Sequence, residues 1–135
     1  MELKNLIAKN KVIEVEHPAL EGFIVSVAYV SRETTRKLLD KATITKYNTK
    51  THKPEEEVDN DLFLKLNTKA IIRNWKGLKF EYLSELVAVD MSEAPEEGEL
   101  EYSEENALAL IKNSTDFDTW LSTILSDVKN FNKSN

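Results

Sequence analysis

Near the start of the chain, Val12, Ile13 and Val15 interleave with Glu14 and Glu16, a near-alternation that predicts a half-buried strand. His17-Pro18 interrupts it, and "GFIVSVAYV" follows, rich in β-branched and aromatic residues. Phe23, Val25, Val27 and Tyr29 fall on one face of this second strand, with Ile24, Ser26, Ala28 and Val30 on the other. Both faces are largely apolar, which predicts a buried central strand joined to the first by a turn containing Pro18 and Gly22. Ser31 then offers an N-cap to "RETTRKLLDKA", where Glu33 with Lys37 and Arg36 with Asp40 stand four apart, and Leu38, Leu39 and Ala42 supply a short buried face. Residues 43–49 predict a weak strand or extended arm, and the following stretch, with Pro54 and its acids, a loop.

Helical periodicity dominates the remainder. "LFLKLNTKAIIRNW" predicts a helix capped by Asp59 or Asp61, with Phe63, Leu66 and Ala70 on one stripe and Gly77 just past its end. Trp75 then falls in the last turn or just beyond, where it reads as a core plug. Tyr82, Leu83, Leu86, Val87 and Val89 predict a short helix or turn. "YSEENALALIKN" opens on Ser103 as a cap with acids in its first turn. "NST" breaks it, Thr115 with Asp118 makes a second capping signal, and Phe117, Trp120, Leu121, Ile124, Leu125, Val128 and Phe131 recur at i, i+3, i+4, i+7. That spacing predicts one amphipathic helix of about four turns. The elements together predict an α+β fold: a small antiparallel N-terminal sheet packed with a mainly helical C-terminal part. One domain covers 1–135, with a β-rich part carrying one helix at 1–50, a helical part at 58–131 and an acidic loop at 90–105.

Composition changes this picture chiefly by exclusion. The chain of 135 residues contains no cysteine, and its two histidines, His17 and His52, have no helical metal-site spacing. Glycines at 22, 77 and 98 supply neither a P-loop nor a dinucleotide-binding turn, and no nucleophile-elbow pattern surrounds any serine. No stretch of 18 apolar residues runs unbroken, and the N-terminus has no apolar core of signal-peptide length. These features predict a cytoplasmic, non-enzymatic protein with no catalytic residue, cofactor, metal, small-molecule substrate or membrane partner.

The net charge of −6 is unevenly placed. Residues 90–105 hold eight acids and no Lys or Arg, whereas residues 32–53 hold seven basic residues against two acids. A chain so polarised can pair with its own copies or with a partner, or it can simply carry two solvated segments. The pI near 5.0 argues against nucleic acid as a partner. The aromatic helix is the remaining candidate surface. Phe117, Trp120, Leu121, Ile124 and Phe131 read either as the buried face of a terminal helix docked on a sheet or as a partner-binding stripe.

Four blocks, "GFIVSVAYVSRETTRKLLDKAT", "AIIRNWKGL", "EYSEENALALIKNSTDF" and the closing "KNF", in this order and spacing, make the chain resemble the tail assembly chaperones of long-tailed bacteriophages. The resemblance covers residues of about 12 to 131, and its blocks are packing and capping residues rather than a catalytic signature. It implies a small cytoplasmic factor absent from the mature virion, which coats the tape measure protein, keeps it soluble and brings in tail tube protein. The width of the aromatic stripe adds the expectation that Phe117, Trp120, Leu121 and Ile124 form or border the client surface. The alternative class is a small structural tail or connector protein of the virion.

Overall fold

The computed structural model describes residues 1–8 and 11–132. Its element order is β1 (Val12–Glu16), β2 (Ile24–Ala28), α1 (Arg32–Lys41), β3 (Thr43–Asn48), β4 (Lys53–Val58), α2 (Asn60–Ile71), β5 (Ile72–Lys76), α3 (Leu83–Leu86), α4 (Glu104–Asn113), α5 (Thr115–Ser126) and α6 (Lys129–Asn132). The fold is α+β, with antiparallel sheets and helices concentrated in the C-terminal part. β2 is central in a three-stranded antiparallel sheet of order β1-β2-β5. Its alternation puts Val25 and Val27 fully inside, beside Phe23.

The third strand comes from the stretch predicted to end a helix. α2 stops at Ile71, and Ile72–Lys76 pairs with β2, Val25 opposite Trp75 and Val27 opposite Ile72. Between these pairs the register shifts by one residue. The resulting bulge turns Ile72 and Trp75 to the same buried face although they are three apart. A spacing of three is helical in sequence, which is why the strand reads there as a helix end. The part at 58–131 is therefore not purely helical; it completes the N-terminal sheet.

Gly77 follows with φ 76° and lies against Gly22, which has φ 83°. A Cβ on Gly77 would come within 1.9 Å of the Gly22 carbonyl oxygen, whereas a Cβ on Gly22 would meet nothing within 4 Å. Beside this contact, the Tyr82 hydroxyl donates to the Glu21 carbonyl at 2.7 Å, and Leu78 is fully buried. The outer side of β5 is tied to the returning chain: Trp75 Nε1 donates to the Leu100 carbonyl at 2.9 Å and the Tyr102 hydroxyl to the Ile72 carbonyl at 2.8 Å. The backbone at Lys79 forms an antiparallel bridge with that at Glu99, so the acidic segment ends as an anchored strap rather than as a free loop. Its residues 90–93 and 95–99 are exposed.

The region expected as an arm and a loop is a hairpin. β3 pairs with β4 over six residues, from Thr43 opposite Val58 to Asn48 opposite Lys53. The Asn48 side chain accepts from the backbone N–H groups of Lys50 and Thr51, which holds the turn. Glu55, Glu56 and Glu57 thereby run beside the basic strand, and Lys46 pairs with Glu57 at 2.8 Å. Counted over residues 32–59, seven basic residues face six acids, so the basic segment does not fold into a basic face.

Replacing Gly77 with alanine forces backbone apart as well as imposing a left-handed conformation, and should cost about 3 kcal/mol or more, against about 1 kcal/mol for Gly22→Ala. Urea unfolding of the two variants measures the difference. Equal losses would mean that the contact between the two glycines is unimportant.

Candidate functional site

Serines position the two C-terminal helices. The Ser103 hydroxyl accepts from the Asn106 N–H at 3.0 Å and starts α4. Ser114, almost fully buried, ends α4 and starts α5: its N–H donates to the Leu110 carbonyl and its hydroxyl accepts from the Phe117 N–H at 3.1 Å. The cap is thus Ser114 rather than Thr115. α5 then places Phe117, Leu121 and Ile124 at i, i+4, i+7 against the sheet. Phe117 stacks on Phe23 with ring centroids 6.1 Å apart and planes 20° apart.

The single helix predicted through Phe131 is broken. Asp127 has extended backbone, and its carboxylate accepts from the Lys129 N–H at 3.0 Å, competing with helical continuation. The Asn130 side chain satisfies the Ile124 carbonyl at 3.1 Å. This corner turns α6 toward β1, and buried Phe131 meets Tyr29 at a ring distance of 5.2 Å.

The five residues expected as a partner surface are therefore mostly core. Phe117, Leu121, Ile124 and Phe131 are buried at 0%, 3%, 7% and 1% exposure, as in the first of the two readings of the stripe, a terminal helix docked on a sheet. A sheet of three strands is wide enough to cover the stripe because β5 joins it. Trp120 is half-buried, packed on the His17 ring at 4.7 Å and on Phe117 at 5.8 Å.

His17, in the turn that follows β1, is itself buried. Its Nδ1 accepts from the Ala19 N–H at 3.1 Å and its ring stacks over Phe23. Burial lowers its pKa below 6.5 despite the opposing pull of Asp116 and Glu85. The folded state thus favours the neutral ring, and its role is packing and turn formation. Tyr102 is shifted upward, first by burial and then by Glu104, so its hydroxyl stays protonated as the donor to Ile72. Among the described residues no group of three or more His, Cys, Asp or Glu side chains is arranged to hold a metal ion, and no helix is long and apolar enough to cross a membrane.

The neighbouring side of α5 borders a partly open crease with polar and apolar lining in similar measure. A groove of about 150 Å³ runs between α2, α4 and α5. Buried Ile72 and Leu121 line it together with half-buried Leu64, Ile71, Ile111 and Leu125, while Asn67, Asp118 and Ser122 supply polar groups. Only Leu121 of the expected residues lines the groove. The others were legible in part: Leu64, Thr68 and Ile71 follow i, i+4, i+7, but the polar threonine in the middle hides this face. Thr68 is the one buried residue of α2, whereas Phe63 and Leu66 of the predicted stripe are only half-buried.

The fold is a small α+β one, and the groove between α2, α4 and α5 is lined by apolar and polar groups together. The chain is phage-derived: the family described as YdaY prophage protein matches residues 24–135, and the chain belongs to it. No curated protein and no solved structure matches the chain.

Two measurements check these assignments. Phe117→Ala should cost about 3–5 kcal/mol, as a buried aromatic facing Phe23, measured by denaturant unfolding; a loss below about 1 kcal/mol would return α5 to the surface. For His17 the folded pKa is depressed, so the unfolded chain binds its proton first on acidification. Stability should be independent of this group well above pH 6.5, fall as pH drops below that value, and level off beneath the folded pKa. His17→Gln should flatten that part of the profile.

Proposed function

We propose that this YdaY-family protein is a non-enzymatic tail assembly chaperone that binds the tape measure protein, keeps it soluble and brings tail tube subunits to it in the host cytoplasm. The observation that carries the reading is the open groove between α2 and α5, with aliphatic walls Leu64, Ile71, Ile111 and Leu125 and polar Asn67, Asp118 and Ser122. A long helical client can lay an apolar ridge along such a groove at i, i+3, i+4 spacing, with its polar flanks reaching the polar lining groups. The order of the four sequence blocks and the phage family supply the biological setting. The exposed acidic residues around the strap at 90–105 give the unoccupied chaperone a strongly hydrated surface, which a holdase with open apolar walls needs to remain soluble.

Co-expression with the tape measure protein tests the assignment. Leu64→Glu and Leu125→Glu alter half-buried walls, and each should leave the fold intact at a cost of about 1–2 kcal/mol, while the soluble yield of the tape measure protein falls to that of the client alone. Undiminished client yield from both folded variants would remove the groove from the client surface. Mass spectrometry of purified virions should find the protein missing; its presence in structural amounts would instead make it a tail or connector component.

A further inference from the structure

The client groove makes no use of the β3–β4 hairpin. Among the described residues this two-stranded ribbon is bonded to no third strand, and Thr45, Lys46, Tyr47 and Lys53 through Glu57 are exposed on both of its faces. Ile44 and Tyr47 are 39% and 63% exposed. A ribbon of two strands is marginally stable in water unless a further strand or a packed face supports it. Its two edges differ in kind. β4 carries Pro54 and three consecutive glutamates, residues that block pairing at a sheet edge. β3 reads Thr-Ile-Thr-Lys-Tyr-Asn, rich in strand formers and with one charge, so its edge is the unguarded one.

We infer that β3 pairs with β3 of a second copy of this chain, forming a four-stranded sheet of order β4-β3-β3-β4 across a twofold axis. Antiparallel pairing about such an axis keeps each residue on its own face, so one residue must pair with its own copy. An axis at Lys46 would oppose two lysines. An axis at Ile44 would draw buried Ala42 into the ladder. An axis at Thr45 opposes Thr45 to Thr45, Ile44 to Lys46 of the second copy, and Thr43 to Tyr47 of the second copy, with no like charges facing. The hairpin's own register then extends these pairs into rows. One row runs Glu57, Ile44, then Lys46 and Glu55 of the second copy, setting the lysine between an aliphatic side chain and a carboxylate. Another runs Val58, Thr43, then Tyr47 and Pro54 of the second copy, an apolar row that covers the exposed tyrosine. This register pairs five residues of β3 without opposing like charges, whereas the axis at Ile44 pairs only three and the axis at Lys46 opposes two lysines.

Two variants of the full chain test it. Thr45→Lys puts two lysines on the axis but faces Glu56 within its own hairpin, so the monomer keeps its fold. Sedimentation velocity over about 1–100 µM should show wild-type dimers that dissociate on dilution, with association weakened about fivefold or more in Thr45→Lys. Because the chain has no cysteine, Thr45→Cys provides a single thiol at the axis, within reach of its own copy. Mild oxidation should convert it to a covalent dimer, whereas Glu56→Cys, on the far strand, should stay monomeric under the same conditions. A wild-type monomer at every concentration, unchanged association of Thr45→Lys, or equal cross-linking of the two cysteine variants would each overturn the inference.

Discussion

The corner where Gly22 meets Gly77 governs the rest of the structure. Two backbone segments more than fifty residues apart touch there, at a distance that leaves no room for a side chain on Gly77. This contact sets the end of the pairing between β2 and β5, and the bulge then sends Ile72 and Trp75 inward together. Trp75 and Tyr102 hydrogen-bond across to opposite stretches of the same antiparallel return, which brings residues 98–102 alongside β5. α4 starts immediately afterwards, so the position of the helical layer follows from the sheet corner.

Adding β5 to the sheet decides what α5 does. With only two N-terminal strands, a stripe carrying Phe117, Leu121 and Ile124 would exceed the surface available to cover it. With three strands it is buried, and Phe117 stacks on Phe23 inside. Beside α5, the crease where it meets α2 and α4 stays partly open, lined by both apolar and polar side chains. α2 contributes to both sides of this outcome: its sole buried residue is Thr68, and its leucines stay half-exposed. α2 therefore adds little to the core beyond Thr68 and leaves its leucines to line or flank the crease.

Charge shows the same dependence on pairing. Residues 32–53 are basic as a string, yet the hairpin lays three glutamates beside them and Lys46 binds Glu57. The acidic segment keeps its character because residues 90–93 and 95–99 remain exposed, while its later part, from Gly98 to Glu105, is tied to the β5 region and enters α4. Local density of charge is a property of the sequence; whether it amounts to a face depends on which strand lies alongside.

Much of the fold was written locally. β1 and β2, the capping of α1 by Ser31, the start of α4 at Ser103 and the α+β class follow from periodicity and capping chemistry, which act within a few residues. Tertiary structure alone decided the strand at 72–76, since a bulge makes its spacing of buried residues look helical, and β4, whose glutamates and proline oppose a strand until β3 supplies the partner. It also decided the fate of the aromatic stripe. An apolar face in a sequence states only that it will be covered; the number of strands available to cover it is a long-range fact, and here it moved the candidate site from the face of α5 to the groove beside it.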